Sequence, residues 1–289
     1  MVLPLIKKVP KLKDMLRREL GLSTDELNKL PAKYKVLGDL AIIKLPDEFS
    51  HLKKEIGRII LKNDPRVKSV LNLVEGIQGI FREPKVEVIA GDMNTETMII
   101  ENECQFKLDT KRLMFCLGNQ HERLRMSKIV FSDEVVIDMF AGIGQFSIPI
   151  AVHCRPRRIF SIELNPLAYK YLLENVFLNN VDHIVYPIQG DSKEIVPKLL
   201  RHKADRIVMG YVEKTQEFLE AAMMGVRAEG GIIHYHNIYK TNDIFQKPIS
   251  EVKSAAIKSN REVKRITHRR IVKSYGPGLV HVVIDVKIK

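Results

Sequence analysis

The sequence predicts an α/β fold: a doubly wound, mostly parallel sheet closed by a terminal β-hairpin and preceded by a smaller α+β domain. Three observations carry this. From residue 134 onward, short apolar runs alternate with amphipathic stretches of helical period, the rhythm of a parallel sheet covered by helices on both faces. Residues 263–289 break that rhythm with two alternating runs joined by Gly276-Pro277-Gly278, a hairpin signal. Upstream, strands and helices follow one another in no fixed order, as in an α+β domain.

Taken in order, residues 4–30 carry helical periodicity, with an N-cap at Ser23 or Thr24 ahead of DEL. YKVLGDLAIIKLP (34–46) reads as a strand ending at Pro46, and 48–63 as an amphipathic helix ended by Asp64-Pro65. SVLNLV (69–74), KVEVIAGD (85–92), TETMIIENECQFKLD (95–109) and RLMFCL (112–117) alternate like antiparallel strands. The repeating part then gives strands at 134–140, 158–164, 184–191, 204–211 and 230–238. Helices are predicted at 144–154, 166–180, 193–202, 215–227 and 248–260, and the hairpin strands at 263–275 and 279–289. The expected organisation is an N-terminal helical segment over 1–33, an α+β domain over 34–127 and a Rossmann-like domain over 128–289. The terminal hairpin closing such a sheet is the pattern of class I S-adenosylmethionine-dependent transferases.

Of the 289 residues, 45% are hydrophobic and 28% charged, the balance of a globular protein. The most apolar stretch, 135–152, is interrupted by Asp138, Gln145 and Pro149, so no membrane span is expected. The N-terminal apolar run is too short for a secretory signal. Cys104, Cys116 and Cys154 are odd in number and lack CxxC spacing, which argues against a disulfide framework or zinc site and for a cytoplasmic protein. No metal and no obligate protein partner are expected. The net charge is +12 and unevenly spread: residues 1–70 hold 16 Lys+Arg against 9 Asp+Glu, and residues 251–289 hold 10 against 3. Each end segment is therefore +7 and the middle −2, a distribution that suits a polyanion such as a nucleic acid; the alternative is a lysine-rich solvated surface.

Asp138-Met-Phe-Ala-Gly142-Ile-Gly144 makes a tight turn between the first strand and its helix, where glycines let the backbone approach a ligand. Glu163, 21 residues beyond Gly142, ends the second strand, where a carboxylate can accept both ribose hydroxyls. Asp191-Ser192 end the third strand, placed for an adenine edge; Asp191 alone also suits a helix N-cap. A dinucleotide fingerprint requires a third glycine where Ser147 stands, and Asp138 repels a pyrophosphate while suiting the cationic amino group of methionine. The set favours S-adenosylmethionine over NAD. Phe140 and Tyr211 are candidates to stack on adenine or on a target base, with a core role as the alternative for Phe140.

REPKVEVIAGD (82–92), ECQFKLD (103–109), FCLGNQHERLRM (115–126), DMFAGIGQFSIPIA (138–151), IELNP (162–166) and GGIIHYHN (230–237) together resemble one family. It contains the tRNA guanine-N1 methyltransferases acting next to the anticodon and the wybutosine-pathway aminocarboxypropyltransferases of archaea and eukaryotes. The resemblance runs from about residue 34 to the end, and there is no room for the extra N-terminal tRNA-binding domain frequent in the methylating branch. Two places point to the second branch. The methylating enzymes carry Asn-Pro or Asn-Leu-Pro after the fourth strand, where this chain has Met209-Gly210-Tyr211-Val212-Glu213. They tend to carry Ser-Pro-Arg in the loop that here reads Cys116-Leu117-Gly118-Asn119. Gly118-Asn119 and Glu122-Arg123 match the aminocarboxypropyl pattern, and Cys116 departs from its serine.

The resemblance implies transfer of a 3-amino-3-carboxypropyl group from S-adenosylmethionine to a side-chain carbon of 4-demethylwyosine, the guanosine-derived base 3′ of the anticodon in phenylalanine tRNA. Methylthioadenosine is the leaving product. The substrate would be bound by 34–127 and the cofactor by 128–289. It implies Glu122, Arg82 and His121 as catalytic candidates: Glu122 activating or orienting the acceptor, Arg82 holding the base or a phosphate. His121 is more readily a packing residue. Arg123 is implied for the cofactor carboxylate. Cys116, Asp138, Phe140, Ala141, Gly142, Gly144, Glu163, Leu164, Asn165, Asp191, Ser192 and Gly210 complete the expected cofactor site. Plainer readings stand beside these: a surface pair of Glu122 with Arg125 or Arg123, and an ion pair of Arg82 with Glu83 or Glu87. The paired His234 and His236 are poor metal ligands without a third. The basic face of ITHRRIVK and the N-terminal KKVPKLK are expected to meet tRNA phosphates. The runner-up is a methyltransferase of the same family, and a third reading is a non-catalytic RNA-binding protein.

Overall fold

The computed structural model describes residues 9–81, 83–212 and 214–289, which form two compact units. The first comprises the chain up to Ile99 and Lys107–Phe115; the second comprises Ile100–Phe106 and Cys116–Lys289. The boundary differs from the predicted one because the hairpin β5 (Glu96–Glu101) and β6 (Cys104–Asp109) is divided between the two.

In the first unit, the helical stretch read over 4–30 becomes two helices, α1 (Leu12–Leu20) and α2 (Thr24–Lys29). Gly21 ends α1 in the left-handed region (φ 65°), and Ser23 starts α2 with a capping box, its hydroxyl taking the Glu26 N–H while the Glu26 carboxylate takes the Ser23 N–H. Both helices bury Leu12, Met15, Leu16 and Leu27 in the same core as Ile43, Ile56, Ile60 and Val70. They are thus part of this unit rather than a separate segment. The strand read over 34–46 is two strands, β1 (Lys35–Leu37) and β2 (Leu40–Ile43), paired antiparallel. Gly38 makes the turn at φ 59°, and a Cβ there would lie 2.0 Å from Thr97 Oγ1, so only glycine fits. A 3₁₀ turn (Asp47–Leu52) leads into α3 (Lys53–Asn63), followed by β3 (Ser69–Gln78) and β4 (Glu83–Gly91), giving sheet order β1-β2-β3-β4. RLMFCL is not a strand. After β6 the Asp109 carboxylate and carbonyl take the amides of Lys111, Arg112 and Leu113, which closes a turn. Leu113 and Phe115 are buried but lie outside any strand.

The second unit opens with α4 (Gln120–Ile129) and then follows the predicted alternation: β7 (Val135–Asp138), α5 (Ser147–Cys154), β8 (Arg158–Glu163), α6 (Pro166–Leu178), β9 (Val185–Gln189), α7 (Ser192–Leu199) and β10 (Arg206–Met209). It continues with α8 (Leu219–Gly225), β11 (Gly231–Lys240), α9 (Gln246–Lys258), β12 (Val263–Gly276) and β13 (Leu279–Ile288). The seven strands run β12-β13-β11-β10-β7-β8-β9, parallel from β11 to β9, with the β12–β13 hairpin antiparallel on one side. This is the predicted doubly wound sheet with its terminal hairpin. β7 and β10 are buried at every position because helices cover both faces, which is why they read as continuous apolar runs. Asn165 caps α6 with Pro166 at its first position, and Asp191 caps α7. The chain reverses direction of winding between β7 and β10, so the carboxyl ends of these strands form the crevice where such sheets hold ligands. Among the described residues, no helix is long and apolar enough to cross a membrane.

Candidate functional site

The turn after β7 is built by hydrogen bonds from beneath. Asp138 is fully buried; its Oδ2 accepts from Ser147 Oγ at 2.7 Å, and Ser147 Oγ in turn accepts from Ser161 Oγ at 2.7 Å. Burial pushes the Asp138 carboxyl up to about 6, with the Ser147 hydroxyl partly offsetting it. The carboxylate expected to face a methionine ammonium therefore faces inward and ties the turn to α5 and β8. Gly142 (φ 57°) stands at the crest of the turn, and a Cβ built there meets no atom within 4 Å. Gly144 is of the opposite kind: a Cβ would lie 2.5 Å from Ile148 Cδ1, so this glycine lets α5 close on the turn. Ala141 is buried and donates its N–H to the Ile162 carbonyl.

Glu163 joins two loops. Its Oε2 takes the Gly142 N–H and its Oε1 the Asn165 N–H, each at 2.7 Å, and burial raises its pKa. Leu164 beside it is 43% exposed, whereas Asn165 is buried and takes the Leu167 N–H to cap α6. Asp191 accepts the Lys193 N–H at 2.8 Å, the cap that the sequence left as its alternative role, and Ser192 is buried. Phe140 stacks on Tyr211 with centroids 5.0 Å apart at 21°, and meets Phe218 edge-on at 4.8 Å. These rings, expected to stack on a ligand, stack on one another. Gly210 is required by packing, since a Cβ would lie 2.6 Å from Cε2 of the buried Phe146.

These features suit a nucleoside bearing a methionine chain. An open-faced glycine at the crest of a turn gives the close backbone approach a flat purine nucleoside requires. The Glu163 carboxylate behind it accepts the Gly142 N–H at 2.7 Å, and a carboxylate so placed can also accept vicinal hydroxyls. The residues fit S-adenosylmethionine. Among the described residues, no group of three His, Cys, Asp or Glu side chains is placed to hold a metal.

A second cluster gathers round the loop before α4. Lys273 Nζ lies 3.2 Å from Cys116 Sγ and against Gly118, and Arg270 Nη1 meets the exposed ring of His121 at Nε2, 2.8 Å away. Part of the basic ITHRRIVK strand thus packs on this loop. Arg123 is 1% exposed and clamps Glu101 with both arms of its fork (2.6 and 2.8 Å), while Nη1 bonds the Cys116 carbonyl. It shapes the loop, where a contact with a cofactor carboxylate had been expected. Glu122 is fully buried: Oε2 accepts from Arg125 Nε at 2.8 Å, and Oε1 has no hydrogen-bond partner. It is a buried member of an ion pair with Arg125, not a surface pair. Arg82, Glu213 and Lys7-Lys8 of the basic N-terminal stretch lie outside the described residues.

Sequence reasoning missed what stands behind Glu122. Arg125 also forks onto Asp285 (2.7 and 3.2 Å); Asp285 bonds His234 Nδ1 at 2.7 Å; and Arg206 Nη1 meets His234 Nε2 at 2.8 Å while pairing with Glu134. A charged residue inside an apolar strand, as in VVIDVKI, was the available signal. The two histidines have different fates: His236 pairs with His281 at 3.0 Å and leans on Phe146.

With that geometry in place, comparison with known proteins is informative. The sequence profile of the TRM5/TYW2 methyltransferase domain matches residues 97–264, and that of the TYW2 N-terminal domain residues 12–95. The chain is 38% identical over 257 residues to a Methanocaldococcus jannaschii tRNA(Phe) (4-demethylwyosine(37)-C(7)) aminocarboxypropyltransferase, covering 89% of this chain and 98% of that one. It is 36% identical over 272 residues to Pyrococcus abyssi tRNA (guanine(37)-N(1))-methyltransferase Trm5b, covering 94% of this chain and 79% of that one. The crystal structure of M. jannaschii TYW2 in complex with AdoMet superposes with a TM-score of 0.72 at 34% identity, over 89% of this chain and 99% of that one.

Proposed function

The chain belongs to the TRM5/TYW2 family, and from that premise we propose that it transfers the 3-amino-3-carboxypropyl group of S-adenosylmethionine to carbon 7 of 4-demethylwyosine in tRNA. Its partner is tRNA, and the phenylalanine-specific precursor is the form this reading assigns to it. The observation that carries the choice within the family is the end of β10. There the methylating branch presents an Asn amide and a proline, and this chain has Met209-Gly210-Tyr211-Val212, with Phe146 packed where any side chain on Gly210 would stand.

When bound, S-adenosylmethionine supplies three electrophilic carbons on sulfur, and the one that reacts is the one held in line with the acceptor. The chain's own groups do the holding. Gly142 offers the bare backbone face, Glu163 the acceptor for ribose hydroxyls, and Leu164, Ser192, Asp191 and the Phe140–Tyr211 pair flank the base. Asp138 keeps the turn in place through Ser147. Glu122, with one buried oxygen free of hydrogen bonds, is the group assigned to take the proton that the acceptor carbon gives up.

The test uses the full chain, precursor tRNA, and S-adenosylmethionine labelled in separate reactions at the carboxyl or the methyl carbon. Label entering tRNA only from the carboxyl form is the expected result. Label from the methyl form reassigns the protein to the methylating branch, and label from neither leaves it an RNA-binding protein.

A further inference from the structure

Glu122 sits at one end of a largely buried row of charged and polar side chains. Along it lie Arg125 on α4, Asp285 on β13, His234 on β11, Arg206 on β10 and Glu134 just ahead of β7. His234 and Asp285 are direct cross-strand partners, so the β11–β13 pairing itself sets their 2.7 Å contact. The protonation pattern follows from which groups can donate. Arg206 Nη1 only donates, so His234 Nε2 accepts and its Nδ1–H points at Asp285. Burial likewise holds His234 neutral; it also opposes ionisation of Asp285, but His234 and Arg125 outweigh it and keep that carboxyl well below the usual range.

Arg125 is the shared link. Its two terminal nitrogens go to Asp285 and only Nε to Glu122, at 2.8 Å on Oε2. Glu122 Oε1, fully buried, keeps no hydrogen bond, and His121 Nδ1 and Arg270 Nη1 each stand off at 3.8 Å. A buried carboxylate oxygen without a partner is destabilising, and an arginine fork is the natural group to cover it. Here the fork is held away by a second carboxylate.

We propose that Asp285 is a positioning residue for the transfer reaction: by engaging the fork of Arg125 it fixes Glu122 through one oxygen and keeps the other free of hydrogen bonds, available for the acceptor's proton. His234, with its tautomer set by Arg206, holds Asp285 in turn. Without the Asp285 charge, the fork turns to Glu122 and closes over both oxygens. This rests on the role assigned above to Glu122. In the step concerned, the acceptor carbon forms its bond to the methionine Cγ as the Cγ–S bond breaks and its electron pair stays on sulfur. The acceptor carbon then releases its proton to Glu122 Oε1.

The experiment compares D285N, E122Q and the double variant under saturating tRNA and cofactor. D285N is expected to lower kcat by at least ~10-fold while KM for tRNA and Kd for S-adenosylmethionine stay within about twofold, the signature of a lost proton-transfer geometry. The double variant is expected to be no slower than E122Q, because Asp285 acts only through Glu122. Losses that multiply, or a rise in KM and Kd in place of the fall in kcat, overturn the inference by giving Asp285 a general structural role. Normal turnover in D285N beside a slow E122Q overturns the inference alone; normal turnover in E122Q overturns the reading of Glu122 and the inference with it. Should D285N not fold, R125K carries the same test: a lysine cannot hold both carboxylates in the forked arrangement, and the same loss in kcat with unchanged KM is expected.

Discussion

At the scale of single residues, the two glycines at the strand ends do opposite work. A methyl on Gly142 meets nothing in the protein, so Gly142→Ala costs roughly 1–2 kcal/mol of stability from its left-handed backbone. The methyl enters the space assigned to the nucleoside, so cofactor affinity is expected to fall by more than stability does. At Gly210 the methyl strikes Phe146, a buried ring already set against His236, and Gly210→Ala is expected to lower stability by about 1–3 kcal/mol through overpacking. Urea unfolding and calorimetric titration with S-adenosylmethionine separate the two variants; equal effects on both readouts would contradict the division. Glu163→Ala removes the acceptor for two backbone amides and, in the cofactor site proposed above, for the ribose. It is expected to weaken cofactor binding by roughly 1.5–3 kcal/mol, and an unchanged Kd would remove Glu163 from the site.

At the scale of elements, β11 and β13 carry a pH dependence through His236 and His281. Burial holds both rings neutral, His236 well below its ordinary value and His281 down to about 3, with the charge of Lys273 adding to the effect on His281. The unfolded chain takes up their protons near 6.5 and the folded one does not. Their contribution to stability is therefore full above pH 6.5 and is lost as pH falls toward 3. Asp138 works in the other sense: its raised carboxyl contributes stability at low pH that is lost as pH rises from 3.8 through about 6. A difference measurement isolates the histidine. Relative to His281→Asn, the wild type is expected to lose about 2–3 kcal/mol between pH 7 and pH 4.5, and parallel stability curves for the two proteins would refute it. The same elements show what the sequence discloses. The β–α alternation was legible because its periodicity is local, as were the glycine turn and the acids at strand ends, each within a few residues of a strand terminus. The one-strand reading of 34–46 failed because Gly38-Asp39 was taken as interior, and RLMFCL failed because alternation reports burial of Leu113 and Phe115, not pairing. The Glu122 cluster stayed hidden because Arg125 and Asp285, in contact here, are 160 residues apart in the chain.

At the scale of the whole molecule, the charge distribution predicts how the proposed tRNA partner is held. The net +12 is carried by the two end segments, with the middle at −2, so phosphate contacts should be sensitive to where a charge is removed rather than to how many are. β12 is the edge strand of the large sheet, and Arg265 and Arg269 are exposed on it. Lys170 and Lys198, also exposed, lie in the middle segment and pair within their own helices with Glu174 and Glu194. Each phosphate neutralised releases counterions, which makes the logarithm of affinity fall with the logarithm of salt by about 0.7–0.9 per contact. The double variant Arg265→Ala with Arg269→Ala is therefore expected to bind precursor tRNA more weakly, with a salt slope shallower by about 1.5, and to keep its kcat once tRNA saturates. Lys170→Ala with Lys198→Ala removes the same formal charge and is expected to leave the slope unchanged, because those ammonium groups already face carboxylates. Equal changes in the two pairs would mean that net charge alone draws the tRNA, and the β12 edge would lose its place in the footprint.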